Sequence, residues 1–309
     1  MALSPFPIDP DLTAISIAYR NTAYIADMVA PRIPVSKQKF TFMQFADDMN
    51  YNIPDTRVGR RSKVNEVELE GAEITDSCTD FGLESGVPEA DVLNSDERYD
   101  PLGLKTSFLM ELIELDREKR VADMIFNAAS YPAALKQVLA GGSQFSDYAN
   151  SDPIAVINDV LDQPLMRPNQ LIFGQVAWTK FRAHPKIVKA VQGNAGDAGN
   201  ATREQVAALF EVSEIIVGAG RANSSKPGQA PALYRLWGKH IAALYKAPVP
   251  EAEGAVTFCG SFQWGGRMAA QWPDKNIGMR GGTMVRTGES LKERIIASQA
   301  GYFLQNAVG

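Results

Sequence analysis

Residues 36 to 84 constrain the fold most, because they offer almost nothing from which a chain could build a core. No convincing long helix fits there. TFMQF (41–45) and VNEVELEGAEIT (64–75) alternate apolar and polar residues as strands do, and the intervening MNYNIPDTRVGRR is rich in turn-forming residues. The pattern predicts a long, irregular β-hairpin excursion. Such a segment buries too little apolar area to offset the entropy of ordering it, so it becomes ordered only if something covers it.

The excursion is polarised by charge. RVGRRSK (57–63) carries four positive charges and no acid, whereas residues 64–100 hold twelve acids against a single base, Arg98. A charge run can simply be a solvated face. The sharper reading is that a basic tip (Arg57, Arg60, Arg61, Lys63) and an acidic flank (Glu66, Glu68, Glu70) complement a second copy of the chain. That contact is head-to-tail, and it closes into rings when the rotation allows. Opposed patches of this kind set orientation and encounter rate more than affinity.

The strongest helical pattern spans 102–129, LGLKTSFLMELIELDREKRVADMIFNAA, and would make a rod of roughly 40 Å. Phe108, Leu112, Leu115, Ala122 and Phe126 predict its apolar stripe, with Leu109 and Ile113 widening it. Glu111, Asp116, Glu118, Lys119 and Arg120 are left as the charged remainder. Glu114 and Glu118 form a like-charge i,i+4 pair, and Asp116–Arg120 a favourable one. Tyr131-Pro132 should end the helix.

Before the excursion, Asp9-Pro10 opens a short helical pattern that Pro31 and Pro34 stop, giving an arm over the first 35 residues. After residue 141 helices and strands alternate. Asp152-Pro153 is a helix start, Thr202 with Gln205 is a capping box, and RPNQLIFG, EVSEIIVG, ALYRLWGKHIAALYK, TFCGSFQW and GTMVRTG read as strands. The fold class is α+β with a mixed sheet.

Catalytic constellations are missing from this pattern. His184, before Pro185, and His240, among apolar residues, lack the spaced partners of a zinc or iron site. His184 is placed to face the last carbonyls of a helix. IIVGAGRAN lacks the third glycine of a dinucleotide fingerprint, and SSKPGQ cannot begin the helix that would hold a pyrophosphate. The acid pairs Asp47-Asp48 and Asp96-Glu97 fall in polar loops. We therefore expect no catalytic, cofactor-binding or metal residues. A net charge of -5 argues against a strongly basic nucleic-acid binder. Cys78 and Cys259, far apart in sequence, are expected to be free thiols. No apolar run approaches the ~20 residues of a bilayer span, and MALSPFPIDPDL does not read as a secretory signal, so cytoplasmic synthesis is expected.

Several stretches, in order, resemble the major capsid proteins of tailed bacteriophages. They are DPDLTAISIAYRNTAYIADMVAPRIPVSKQKFTF, ELDREKRVADMIFNAASY, RPNQLIFGQVAWTKFRAHPKIVKAV, LFEVSEIIVGAGRAN and LYRLWGKHIAALY. The resemblance implies the Hong Kong 97 phage-type fold. It implies an N-terminal arm at 1–35, an extended loop at 36–84, and a peripheral domain at 85–150 with a spine helix and C-terminal strands from about 251–290. An axial domain at 151–250 would be rejoined by about 291–309. It also implies self-assembly as hexamers and pentamers into an icosahedral shell around double-stranded DNA, in the virion and after synthesis in the bacterial host. A separate scaffolding protein, a portal and a decoration protein are the partners such a shell draws on; sequence-specific DNA binding, membrane and cofactors are not. Some relatives cross-link Lys to Asn between subunits, but nothing marks Lys63 as reactive. The alternatives are an encapsulin-like compartment, which needs an apolar groove for a cargo peptide near the arm, and an enzyme with an unrecognised site.

Overall fold

The computed structural model describes residues 7–19, 21–45, 53, 55–66, 71–95, 99–193, 199–226, 228–249 and 256–309. Helix α1 (Pro10–Ala18) begins where its sequence signals place it. Asp9 Oδ1 accepts the Leu12 N–H at 2.8 Å, and Pro10 fills the first helical position, where no donor is needed. A turn separates it from α2 (Ala26–Val29), followed by β1 (Arg32–Val35).

The excursion follows as β2 (Lys39–Phe45) and β3 (Gly71–Ser77), an antiparallel pair in which Thr41 faces Thr75. Its base is pinned rather than free. Phe40, Cys78 and Phe262 form a small core of their own, and the Phe40 and Phe262 ring centroids lie 4.4 Å apart. Strand β4 (Thr79–Pro88) and the short helix α3 (Glu89–Leu93) lead to the spine, α4 (Pro101–Ile125). The 25 residues of α4 make a rod of about 37 Å. Asp100 caps it, and it ends four residues earlier than the pattern suggested because Asn127 turns round to cap a following 3₁₀ turn.

The rest of the chain comprises β5 (Lys136–Val138), α5 (Pro153–Asp162), β6 (Gln170–Gly174), α6 (Gln175–Arg182), α7 (Pro185–Gln192), α8 (Arg203–Phe210) and β7 (Glu214–Gly218). There follow β8 (Arg221–Asn223), β9 (Leu233–Arg235), β10 (Ile241–Leu244), β11 (Cys259–Asp274), β12 (Gly282–Ile295) and β13 (Gly301–Gln305). Asp152 and the Thr202–Gln205 box cap α5 and α8 as their spacing predicts.

Two larger mixed sheets organise these elements among the described residues. One runs β1-β11-β12-β4, with β1 parallel to β11, and the other β5-β13-β10-β6-β7. The five-stranded sheet is covered on both faces, as the alternation of its side chains requires. Leu171, Phe173, Ile215, Val217, Ile241 and Ala243 pack beneath α5–α8. Ile172, Ile216, Ala242 and Phe303 point the other way, into a second core with α2, the C-terminal half of α4 and Trp237. A third, smaller core joins Leu12 of α1, Leu109 of α4, Ala269 and Val285.

The spine buries part of the apolar side its spacing suggested, Leu109, Ile113 and Ala122, but not Phe108 or Leu112. Leu109, Met110, Ile113, Val121, Ala122 and Ile125 are buried, whereas Phe108 and Leu112 are 53% and 37% exposed. Both stripes have helical periodicity, and the chain chooses the one that also carries Glu114, Arg117 and Glu118, because those groups meet partners on β11, β12 and the N-terminal segment. Truncating Leu112 to Ala should therefore change subunit stability by about 0.5 kcal/mol or less. Ile113→Ala, one residue on, should cost about 2–5 kcal/mol. Denaturant melts of the two variants compare them directly, and equal losses would put the buried face elsewhere.

Candidate functional site

Three features are the candidates for a functional role: the loop tip, the N-terminal segment on the spine, and the two histidines. At the tip, Arg57, Arg60, Arg61, Lys63 and Glu66 are all exposed. Lys63 Nζ reaches Glu66 at 3.1 Å, a solvated i,i+3 pair worth little. Arg57, Arg60 and Arg61 have no ion-pair partner among the described residues. Ile53, Val58 and Val64 are exposed beside them, 97%, 48% and 67% respectively. Glu68 and Glu70, also named from sequence, lie outside the described residues, as do Asp47, Asp48, Asp96 and Glu97. The acidic flank is partly spoken for within its own chain. Asp76 pairs with Arg294 and lies 3.8 Å from Lys292, and Glu84 meets Arg286 at 2.6 Å.

The N-terminal segment, expected as an arm, is docked on its own subunit through residues 9–19 and 21–35. Glu111, Glu114 and Glu118 stand three and four residues apart on α4 and take hydrogen bonds from residues 19–26. Glu111 accepts from the Tyr19 hydroxyl, from Tyr24 at 2.7 Å and from the Asn21 amide at 2.8 Å. Burial and this carboxylate together push the Tyr19 hydroxyl up to about 12. Glu114 accepts the Asn21 N–H at 3.2 Å and pairs with Arg267 at 2.8 Å. Glu118 accepts the N–H groups of Ile25 and Ala26 and the indole N–H of Trp237. Burial raises the Glu118 pKa in spite of these donors.

Behind the ladder lies a buried ionic cluster. Arg117, 2% exposed, donates to Asp27, to Ser261 Oγ at 3.1 Å and to the Ala30 carbonyl at 3.2 Å. Arg32 and Arg267 converge on Glu289 at 2.7 and 3.1 Å. Burial alone would raise the carboxyls of Asp27 and Glu289, but the guanidiniums of Arg117, Arg32 and Arg267 outweigh it and hold both below the usual range. The arrangement ties α2, β1, α4, β11 and β12 into one body.

Both histidines are occupied with backbone. His184 Nδ1 accepts the Lys186 N–H at 3.2 Å, so the protonated Nε2 donates to Ser151 Oγ at 3.0 Å. It caps the start of α7, correcting the expectation that it would face the carbonyls of a helix end. His240 lies just before β10, accepts the Asn306 N–H at 2.9 Å and stacks edge-on against Phe126. Gly218, part of the fingerprint-like IIVGAG, is glycine for a packing reason: a Cβ there would come within 2.2 Å of the Trp237 ring. Among the described residues no group of three or more His, Cys, Asp or Glu could hold a metal ion, and no helix is long and apolar enough to cross a membrane. Cys78 and Cys259 are buried free thiols.

No protein-family model matches the chain. Curated relatives do. The major capsid protein of Pseudomonas phage JBD67 is 45% identical over 308 residues, covering 100% of this chain and 99% of that one. The chain belongs to the phage major capsid protein family. A second relative, the major capsid protein of Burkholderia phage BcepMu, is 27% identical over 77% of this chain and 76% of its own. A phage-related protein of Bordetella bronchiseptica RB50 shares the fold at a TM-score of 0.76 and 21% identity, covering 98% of each chain. The capsid structure of cyanophage P-SCSP1u does so at 0.58 and 10%, covering 99% and 90%. The fold is the Hong Kong 97 phage type.

For this family member the sequence pointed to the loop and missed the latch. One signal was present: Glu114, Arg117 and Glu118 recur at helical spacing on the same face as the apolar Met110, Ile113, Val121 and Ile125. Charges on the face of a helix that must be buried call for partners, and the donors Tyr19, Asn21 and Tyr24 stand close together in the preceding segment.

Proposed function

We propose that this chain is the shell-building subunit of a phage head, forming hexamers and pentamers that close into an icosahedral shell around double-stranded DNA. The observation that carries the proposal is full-length, 45% identity to a phage major capsid protein. The geometry supports it: the chain holds out a basic, partly apolar loop tip that its own subunit does not cover, while the base of that loop is anchored at Phe40 and Phe262. Both sequence relatives are major capsid proteins, which favours a virion shell over an encapsulin-type compartment. The role is structural, and the histidines are spent on holding backbone.

The domain division we propose follows the two sheets. The N-terminal segment, 1–35, and the loop, 36–84, precede a peripheral domain built on α4 and the β1-β11-β12-β4 sheet. The axial domain holds the five-stranded sheet and α5–α8. Because β5 (Lys136–Val138) pairs with β13, we group it with the axial body, although the sequence reading begins that body at 151. Assembly would draw on a separate scaffolding protein and a portal, with a decoration protein as a further partner. A chain of net charge -5 would enclose DNA without gripping its sequence. Synthesis would be in the bacterial cytoplasm. Electron microscopy of the full chain co-expressed with its scaffolding protein should show closed icosahedral particles. A chain that stays monomeric under those conditions sinks the proposal.

A further inference from the structure

We propose that the short hairpin of β8 and β9 is a fixed contact for the phosphate backbone of duplex DNA. The proposal rests on the shell-forming role above, and the contact reads no sequence.

The sequence sets this hairpin apart by charge. Residues 215–250 hold Arg221, Lys226, Arg235, Lys239 and Lys246 and no acid, within a chain of net charge -5. Pairing sharpens the excess. The two strands run antiparallel with Arg221 directly opposite Arg235, an arrangement that like charges make unfavourable. Arg221 and Lys226 are exposed and Arg235 is half-buried. None of the three has an ion-pair partner among the described residues, and Arg235 instead donates to the Ala219 carbonyl at 2.8 Å. Burial, and then the charge of Arg221, lower the Arg235 pKa from its ordinary value. One acidic side chain on either strand would remove this cost, and the chain supplies none there.

The hairpin is nevertheless held in shape. Asn223 Oδ1 accepts the N–H groups of Ser225 and Ala232, each at 3.0 Å, and Ser225 Oγ donates to the Ala230 carbonyl at 2.6 Å. At its root the Leu236 N–H donates to the Gly220 carbonyl at 3.1 Å. Gly220 is packed so that a Cβ there would meet Leu236, Tyr24 and Glu118 of α4. Glu118 cannot serve as the missing counter-charge, because its carboxylate is taken by Ile25, Ala26 and Trp237. The cations are therefore presented by an ordered ribbon seated against the spine, and little entropy is lost when it docks.

The chemistry of the ribbon selects the partner. A duplex carries a phosphate charge about every 1.7 Å of its axis, so it answers adjacent like charges as a single carboxylate does not. Beside the cations stand Gln229 and the Tyr234 hydroxyl, side-chain types that bind phosphate oxygens without reading base edges. A shell that repeats the ribbon on every subunit would hold confined duplex at many weak points.

Two measurements test this. In filled heads of the wild-type chain, formaldehyde should couple the Lys226 amine to DNA, and mass spectrometry should find nucleotide adducts concentrated there over Lys180 and Lys189, exposed lysines of α6 and α7. The second measurement is low-salt binding of a short duplex to the Arg60→Glu/Arg61→Glu chain, which takes the loop tip out of the comparison. Adding Arg221→Gln/Lys226→Gln should weaken binding and lower the slope of log affinity against log salt by about 2, roughly 0.9 per lost phosphate contact. Adding Lys180→Gln/Lys189→Gln removes the same charge and should leave the slope unchanged. Equal effects of the two pairs, no duplex binding by the Arg60→Glu/Arg61→Glu chain, or adducts spread evenly over the three lysines would overturn the assignment. So would loss of closed shells when Arg221→Gln/Lys226→Gln is placed in the otherwise wild-type chain, since the ribbon would then meet an acidic face of a second copy. A wild-type chain that forms no shells counts instead against the shell-forming role, and the duplex measurement still decides the hairpin.

Discussion

Replacing Arg117 with Ala should destabilise the folded subunit by about 3–5 kcal/mol, because it removes one partner from a buried ionic cluster and leaves the others uncompensated. Arg117 is almost fully buried on α4 and binds three separate elements: Asp27 of α2, the Ala30 carbonyl ahead of β1, and Ser261 of β11. Lysine is no substitute, since one ammonium cannot span donors that the guanidinium fork sends in several directions. The measurement is guanidinium unfolding of a subunit kept unassembled, so that mass action from neighbours does not mask the loss. A midpoint that hardly moves would mean the cluster contributes nothing net to holding the N-terminal segment.

The same variant has a pH signature. The Asp27 and Glu289 carboxyls are held below their usual range in the folded state. A group whose pKa is lower folded than unfolded contributes stability above its unfolded value and loses it as pH falls through the folded one. Wild type should therefore lose stability as pH falls through the acid range, and Arg117→Ala should lose less over that interval, having lost part of the interaction already.

Much of the architecture was legible because it rests on short-range rules. Asp9-Pro10, Asp152-Pro153 and Thr202 with Gln205 each start a helix through contacts within three residues, so no tertiary knowledge is needed. The paired strands of the excursion follow from alternation alone. The buried face of α4 was not legible in that way. Two apolar stripes coexist on the helix, and the choice between them is made by partners distant in sequence: Leu12, Ala269 and Val285 at one end, Trp237 and Phe258 at the other. Likewise, the N-terminal segment reads as an arm when its polar residues look solvated. It is docked because Tyr19, Asn21, Tyr24 and the N–H groups of α2 find three glutamates on a helix that begins some eighty residues later. The loop tip was named from charge order alone, and the structure leaves Arg57, Arg60, Arg61 and Lys63 exposed.

Reversing Arg60 and Arg61 to Glu should abolish assembly while leaving the subunit folded. Both side chains are exposed and have no ion-pair partner among the described residues, so the melting temperature of the isolated subunit should shift little, by about 0.5 kcal/mol or less in stability. The effect on particles should be large. A loop presented to an acidic surface would meet it with four units of altered charge, and like-charge juxtaposition costs several kcal/mol, enough to lower yield by about a hundredfold. Salt should discriminate mechanisms: raising ionic strength screens the repulsion and should partly recover assembly if the variant fails by charge. Within the acidic flank, Asp76 and Glu84 are already held by Arg294 and Arg286 of their own subunit, which leaves fewer acids to meet the tip if the loop binds by charge. Normal particle yield from the doubly reversed chain, at low salt and with the scaffolding protein present, would remove the loop's charge from the account of how these subunits meet.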